Sequence, residues 1–457
     1  MFNLNNVIKN FFFPDDFIIN DYLSILNSIK LAKRSLIVIL FKNRPEYILF
    51  YIYCISNGYV LILLNETEIE ELDSILKKYK PNYIFLSKSI SGLFSGQIVM
   101  SNKLIELKIY SNSKIIVNDD LALLLSTSGS TSSKKFVRLS YKNLLSNAIA
   151  IKNALGIKNT DITITNLPLN YSFGLSVLNS HLISDSLIII SDYSVLQKEF
   201  WYLVNKFQVT CLYGVPYTYE ILDKIRFYNM DNSHFRIMAQ AGGKMEPQLQ
   251  EKYLNYCAEK GIEYYTMYGQ TEATARMSYL PYFNANIKKG SIGIPIPEGR
   301  FELRNELNEI INDSDVEGEL VYYGTNVSLG YATCTEDLLK GDVNNGVLYT
   351  GDLAKRDNDG YFYIVARKNR FLKLFGNRIS LQEIEDKLLF MGIESVCGGQ
   401  DDHMIVYLTD FEKKEFVKDW LIKSTKIHSS AFEVEFCETI PRNSSGKILY
   451  NQLFKKC

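Results

Sequence analysis

Eight consecutive small residues, Ser126 to Ser133, follow directly on the apolar run LALLL and are themselves followed by Lys134 and Lys135. Glycine, serine and threonine let backbone N–H groups approach a phosphate closely, hydroxyls add donors, and lysine supplies charge, so the segment has the makings of a polyphosphate cradle. The Walker A pattern GxxxxGK[ST] cannot be laid on it, and taken alone it reads equally as a serine-rich surface turn. Further along, Tyr268-Gly269-Gln270-Thr271-Glu272 closes an apolar run with a hydroxyl and a carboxylate side by side. That pair can donate to a phosphate and hold Mg2+ against it; the bland counterpart is a glycine turn before a capped helix. Thr350-Gly351-Asp352-Leu353 places a second carboxylate in a turn, Arg367 to Arg378 is rich in cations, and Lys447 ends the loop that opens at Pro441. Taken singly, these are a Gly-Asp turn, a solvated charged strand and a solubilising lysine. The four histidines, His181, His234, His403 and His428, stand in no Ser/His/Asp spacing that would indicate hydrolysis.

Together and in this order, the segments resemble the motifs of the AMP-forming acyl-adenylate superfamily, which holds acyl-CoA synthetases, luciferases and peptide-synthetase adenylation domains. Thr127, Ser128, Gly129, Ser130 and Thr131 match its phosphate loop and Lys135 takes the lysine position, while Ser132, Lys134 and Phe136 depart from the usual Gly, Pro and Gly. The resemblance implies that Tyr268, Gly269, Gly242 and Gly243 border the nucleotide. It implies that Thr271 donates to the α-phosphate, that Glu272 holds Mg2+, and that Asp352 and Arg367 bind ribose hydroxyls. Lys447 is matched to the catalytic lysine, Asn369 to a hinge position more often Asp or Lys, and Lys373 and Gly376 to the strand that meets the thiol. Leu167 to Gly174 resembles the acid-binding segment of acyl- and aryl-CoA ligases, with Tyr171 in place of the usual His. Gly174 falls where amino-acid-activating relatives carry Asp, which disfavours an amino-acid substrate. Tyr171, Phe173, Gly174 and Tyr213 then line an acyl pocket suited to an apolar acyl or aryl tail, although such aromatics are also ordinary core residues.

The implied reaction is ATP- and Mg2+-dependent formation of an acyl adenylate, followed by transfer to CoA or to the phosphopantetheine of a carrier protein. The chain stops ten residues after Lys447, so the thiol acceptor is expected as a separate molecule. A relative of the same fold that binds nucleotide or acyl adenylate without turnover is the alternative, prompted by Ser132, Lys134, Phe136 and Asn369.

The elements that must position these residues are legible as apolar runs. SLIVILF, YVLILL and NYIFLS alternate with helical stretches, and ITITNLPL, SLIIIS, VTCLYGVP, FRIMAQAGG and IEYYTMYG follow in the same manner, each ending in a polar or Gly-rich loop. Alternation of this kind implies βαβ units and parallel sheets, with ligands at the carboxyl ends of the strands. After about Ser291 the texture becomes short strands with turn pairs, a small antiparallel or barrel-like section; from Arg370 an α+β module follows. The expected fold class is therefore α/β, with a large N-terminal domain of two βαβ-type subdomains plus the barrel-like section. A small mobile α+β C-terminal domain follows. The resemblance sets the boundary: residues 1–368 bind ATP and acid, and residues 369–457 carry the lysine loop.

Composition closes off other classes. The net charge of -1, from 50 basic and 51 acidic side chains, gives no global field for nucleic acid. Hydrophobic residues at 47% and charged ones at 22% exclude wholesale disorder. The seven cysteines form no CxxC pair and no zinc pattern. Tyr47 to Leu64 carries no charge over 18 residues, near the lower limit for a membrane span, but Ser56-Asn57-Gly58 breaks it into helix then strand. The N-terminus lacks the pattern of a signal peptide, and a cytoplasmic protein is expected.

Overall fold

The computed structural model describes residues 4–13, 17–66, 69–126, 135–368, 370–442 and 448–454. Two eight-stranded sheets form its centre. In the first, Leu121–Ser126, Val60–Asn65, Leu36–Phe41 and Tyr83–Ser87 are parallel neighbours, flanked by antiparallel strands on both edges. In the second, Phe11–Phe12, Leu187–Ile189, Ile162–Ile164, Cys211–Gly214, Ile237–Gln240 and Glu263–Tyr268 run parallel, and Ser278–Leu280 and Ile294–Pro295 add antiparallel partners. Each apolar run of the sequence thus occupies a strand, because a strand covered on both faces needs near-continuous apolar side chains.

The uncharged stretch Tyr47 to Leu64 divides as its punctuation requires. Helix Pro45–Ser56 ends before Gly58, whose φ of 76° is the left-handed value that glycine adopts without strain, and strand Val60–Asn65 follows. Residues 45–55 of the helix are all buried. The helix lies in a core shared by Ile37 and Ile39 of the first sheet, Ile188 of the second and Leu178 of helix Ser172–Leu182. A helix packed on all sides is apolar all round, so its composition reports position in the core. Among the described residues no helix is long and apolar enough to cross a membrane.

The turn-rich section is a four-stranded antiparallel sheet in the order Arg300–Arg304, Gly318–Tyr323, Val347–Arg356 and Phe362–Arg367. One short strand from this region, Tyr331–Ala332, pairs instead with Phe136–Ser140 at the edge of the first sheet. Arg138 fastens that junction. Fully buried, it donates to the carbonyls of Tyr331 (3.1 Å), Gly341 (3.1 Å), Leu329 and Lys340.

Beyond residue 370 come the hairpin Phe371–Leu374 with Asn377–Ser380 and a three-stranded sheet of Ser395–Gln400, His403–Leu408 and Phe432–Phe436. Helices Leu381–Phe390 and Lys414–Thr425 complete this part, with a core of its own that includes Leu374, Leu388, Val406 and Leu421. Arg370 donates to both carboxylate oxygens of Glu385, at 2.9 and 2.7 Å, and to the Tyr450 hydroxyl and the Cys397 carbonyl.

Candidate active site

The loops that follow the parallel strands of the second sheet converge. Tyr268 ends the last of its parallel strands, and Gly269 follows where a side chain is impossible: a Cβ would stand 1.7 Å from the Ala275 carbonyl oxygen. The chain therefore folds tightly back on itself, and Thr271–Ala273 forms one 3-10 turn. Asn326 donates to the carbonyls of Ala273 (2.9 Å) and Arg276 (3.1 Å), and Asn147 donates to the latter at 2.8 Å. These amides hold Thr271 and Glu272 on a rigid support. The Thr271 hydroxyl lies 3.2 Å from that of Ser172, the first residue of helix Ser172–Leu182.

Glu272 is held from the other side. Its carboxylate accepts from the Tyr331 hydroxyl at 2.7 Å and its carbonyl from the Ser328 N–H at 2.8 Å. Lys135 Nζ sits 4.0 Å from the centre of the Tyr331 ring. The strand Leu121–Ser126 and its antiparallel partner Phe136–Ser140 bring Ser126 and Phe136 opposite each other, so both ends of the Gly/Ser/Thr segment are fixed in one hairpin. Thr127, Ser128, Gly129, Ser130 and Thr131 lie outside the described residues, as do Asn369 and Lys447.

Asp352 is buried and receives three groups. Tyr268 Oη donates to its carboxylate, Gln270 Nε2 donates at 3.0 Å, and Arg367 Nε pairs with it at 3.2 Å. Burial first, and the Asp352 charge second, push the Tyr268 phenol well above its ordinary pKa, so it stays a proton donor at neutral pH. Asp352 and Arg367 face each other across neighbouring strands, which explains their pairing despite the exposure of the Arg367 side chain. The strand end bearing Thr271 and Glu272 is thereby tied to strand Val347–Arg356 at Asp352; the Gly-Asp turn expected there is part of that strand. Replacing Asp352 with Asn turns one of its acceptor oxygens into a donor facing Tyr268 and Gln270 and removes the charge opposite Arg367. A lower melting temperature should follow, and if Asp352 has the ribose-binding role expected from the sequence, a rise of about 10–100-fold in the KM for ATP, on the scale of one charged hydrogen bond. An unchanged KM would exclude Asp352 from nucleotide binding.

The residues expected to line an acid pocket also lie together. Tyr171 and Phe173 meet edge to face with centroids 6.3 Å apart. Gly242 passes so close to Tyr171 that a Cβ there would stand 2.6 Å from its hydroxyl, and Gly243 packs on Pro216. Tyr213 is fully buried, its hydroxyl 2.9 Å from His181 Nε2, and the other ring nitrogen of His181 is 2.6 Å from the Ser186 hydroxyl. Burial lowers the His181 pKa to about 3, so the imidazole is neutral. Gly174 leaves no room for a side chain, since a Cβ would stand 2.3 Å from the Pro168 carbonyl oxygen. An Asp cannot occupy this position without moving backbone. Gly174→Ala should therefore destabilise the fold by about 1–3 kcal/mol, the cost of overpacking, read as a lowered first thermal transition.

Lys373 and Gly376 lie on the hairpin of the small α+β part. Lys373 is exposed, its backbone N–H bonded to Asp401 at 2.9 Å, and Phe375 and Gly376 form the two-residue turn with φ of 48° and 86°. Two positive φ values are those of a type I′ turn, the geometry that matches strand twist.

Two residues of the site escape a reading of the sequence. Tyr331, which aligns Glu272, is 59 positions away from it in the chain. Arg276, with its guanidinium 4.6 Å from the Phe173 ring centre and 5.3 Å from that of Tyr213, is signalled only by a charge among small and apolar neighbours, Ala-Thr-Ala-Arg-Met.

Residues 24–332 match the family described as AMP-binding enzyme. Among curated proteins, the long-chain-fatty-acid–CoA ligase of Salmonella typhimurium is 28% identical over 363 residues, covering 74% of this chain and 62% of that protein. A 2-succinylbenzoate–CoA ligase of Bacillus cereus is 28% identical over 348 residues, covering 73% and 70%. The chain thus spans less than two thirds of the length of the fatty-acid ligase. Among solved structures, o-succinylbenzoate CoA synthetase from Bacillus subtilis with its acyl-adenylate intermediate superposes with a TM-score of 0.77 at 22% identity, over 99% of this chain and 97% of that one. ATP-bound MatB from Rhodopseudomonas palustris gives 0.75 at 20% identity, over 95% and 91%. The folds are the same.

Proposed function

Because the chain belongs to the AMP-binding enzyme family, we propose that it activates a carboxylic acid other than an amino acid with ATP and passes the acyl group to a thiol. In the first half-reaction a carboxylate oxygen bonds to the α-phosphorus and the bond to pyrophosphate breaks. In the second, the thiol sulfur bonds to the acyl carbon, AMP departs and the thiol proton is released. Relatives are named for CoA; the thiol proposed here is CoA or the phosphopantetheine of a separate carrier protein. The substrates ATP and CoA place the reaction in the cytoplasm.

The observation that carries this reading is the buried Asp352, bound by Tyr268, Gln270 and Arg367 and tied through them to Thr271 and Glu272. An acceptor for ribose hydroxyls on strand Val347–Arg356 is thus joined to a donor for the α-phosphate and a carboxylate for the metal that follow strand Glu263–Tyr268. Mg2+, when bound, neutralises phosphate charge. Glu272 is the residue to hold it, and one carboxylate together with phosphate oxygens suits that ion. Lys135 and the small residues of 127–131 take the phosphates, and Lys447 joins the acid carboxylate to the α-phosphate. The protein need supply no nucleophile: two anions must meet, so catalysis is positioning and charge neutralisation. We assign the nucleotide and acid sites to residues 1–368, and the lysine loop, the hinge at Asn369 and the thiol-facing hairpin to residues 369–457.

Exchange of labelled pyrophosphate into ATP, run over a panel of carboxylic acids, tests the first half-reaction. Acid-dependent exchange is expected. ATP binding without exchange for any acid would mark a nucleotide-binding relative without turnover.

A further inference from the structure

Arg276 and Arg138 are both fully buried arginines, at 1% and 0% exposure, and only one of them is satisfied. Arg138 spends its N–H groups on four carbonyls. None of the three guanidinium nitrogens of Arg276 has a hydrogen-bond partner among the described residues. The faces of Phe173 and Tyr213 attract the cation but offer no directional acceptor to its five N–H donors. The ionisable groups that bear on it are the hydroxyls of Tyr213 and Tyr171, and burial draws its pKa down to about 10, so it stays charged. A charge kept from water without a counter-ion is among the most costly features a protein interior can hold, and it persists where something else supplies the partner. The backbone of Arg276 is meanwhile pinned through its carbonyl by Asn147 and Asn326. The guanidinium is thus preorganised among the residues assigned to the acid tail.

We propose, resting on the acid-activation reading above, that the acid carries a second carboxylate and that Arg276 pairs with it between Phe173 and Tyr213. One cation beside a neutral His181 balances one monoanion, and the planar fork of a guanidinium matches a carboxylate bidentately. The reacting carboxylate is the poorer occupant. A desolvated bidentate pair would withdraw electron density from the oxygen that must attack phosphorus, whereas a spectator carboxylate at the far end of the substrate loses nothing. Arg276 is on this account a specificity-determining residue, and the acyl product a thioester that retains a free acid.

The test compares dicarboxylic acids of increasing length, linear and aryl, with monocarboxylic acids bearing a methyl group in place of the distal carboxyl. At least one diacid should exceed its monoacid counterpart by about 100-fold in kcat/KM for pyrophosphate exchange, as expected when a buried charge is paired or left unpaired. In Arg276→Met that ratio should collapse towards one, and Arg276→Lys should keep part of it. Free of ligand, Arg276→Met should melt at or above the temperature of the parent, because an unpaired buried charge has been removed; a merely structural cation–π clasp predicts a lower one. Monoacids used as well as diacids, with the same ratio in parent and Arg276→Met, would overturn the proposal and leave the ligase reading intact. If no acid supports exchange, the ligase reading fails and melting decides this one. Diacids that raise the melting temperature of the parent but not of Arg276→Met uphold the anion site, and no shift in either refutes it.

Discussion

Lys447→Ala should exchange pyrophosphate about 10²–10³-fold more slowly than the parent protein, the usual cost of removing one preorganised charge from a transition state. The reason is electrostatic. A carboxylate approaching a triphosphate is repelled until a cation spans the two, and Lys447 is the residue assigned to do so. The KM for ATP should change little, since nucleotide binding is assigned to residues 127–131, Asp352 and Arg367. Thioester formation from a synthetic acyl adenylate should survive, because that step is assigned to the hairpin of Lys373 and Gly376. The split between half-reactions separates this role from general destabilisation, which would slow both. A variant that exchanges pyrophosphate at the parent rate would refute the assignment. Among the described residues the small α+β part meets the large one through the exposed pair of Lys244 with Asp386 at 2.6 Å and through Arg442, 5.9 Å from the centre of the Tyr217 ring; an exposed ion pair contributes about 0–1 kcal/mol, a weak tie for a part proposed to serve two steps in turn. Its own core and the Arg370–Glu385 pair hold it together as a unit.

Most strands of this fold were legible because burial on both faces demands unbroken apolar runs, and Leu36–Phe41, Val60–Asn65 and Glu263–Tyr268 carry them. The helices Leu381–Phe390 and Lys414–Thr425 bury residues at helical spacing, Leu381, Ile384, Glu385 and Leu388 in the first and Val417 and Leu421 in the second. What escaped was set by pairing with other strands and not by the local pattern. Phe11–Phe12 is a strand only because Ile188 and Ile189 accept it as a parallel neighbour. Ser395–Gln400 holds two glycines and no alternation, and gains its structure from antiparallel pairing with His403–Leu408. The site divides in the same way. Motif residues such as Thr271, Glu272 and Asp352 stood out by type and spacing, whereas Tyr331 and Arg276 acquire meaning from what they touch. A tyrosine in a loop-like stretch and a lone arginine among small residues carry no period and no motif, so only the packed structure reveals that one aligns a carboxylate and the other has no counter-ion among the described residues.

Glu272→Gln should reduce adenylation by about 10²–10³-fold, since it removes a fixed negative charge from the site assigned to Mg2+. The substitution is close to isosteric, and the amide oxygen still accepts from the Tyr331 hydroxyl that now donates to the carboxylate at 2.7 Å. The Ser328 N–H continues to hold the backbone carbonyl. Melting temperature should therefore stay near that of the parent, and raising the Mg2+ concentration should recover part of the activity. Tyr331→Phe removes the aligning hydroxyl and leaves the charge; a loss of about 10-fold is expected, the lower end of what outer-shell partners of a metal ligand contribute. Its ring stays beneath Lys135, at 4.0 Å in the parent, so the lysine assigned to the phosphates keeps its seat. The order of the two effects is the decisive point. If Glu272 served only to anchor strand Tyr331–Ala332 through its hydrogen bond, Glu272→Gln would be the milder substitution and Tyr331→Phe the harsher. If Glu272 acts through its charge on the metal, the order reverses and Mg2+ titration shifts for Glu272→Gln alone.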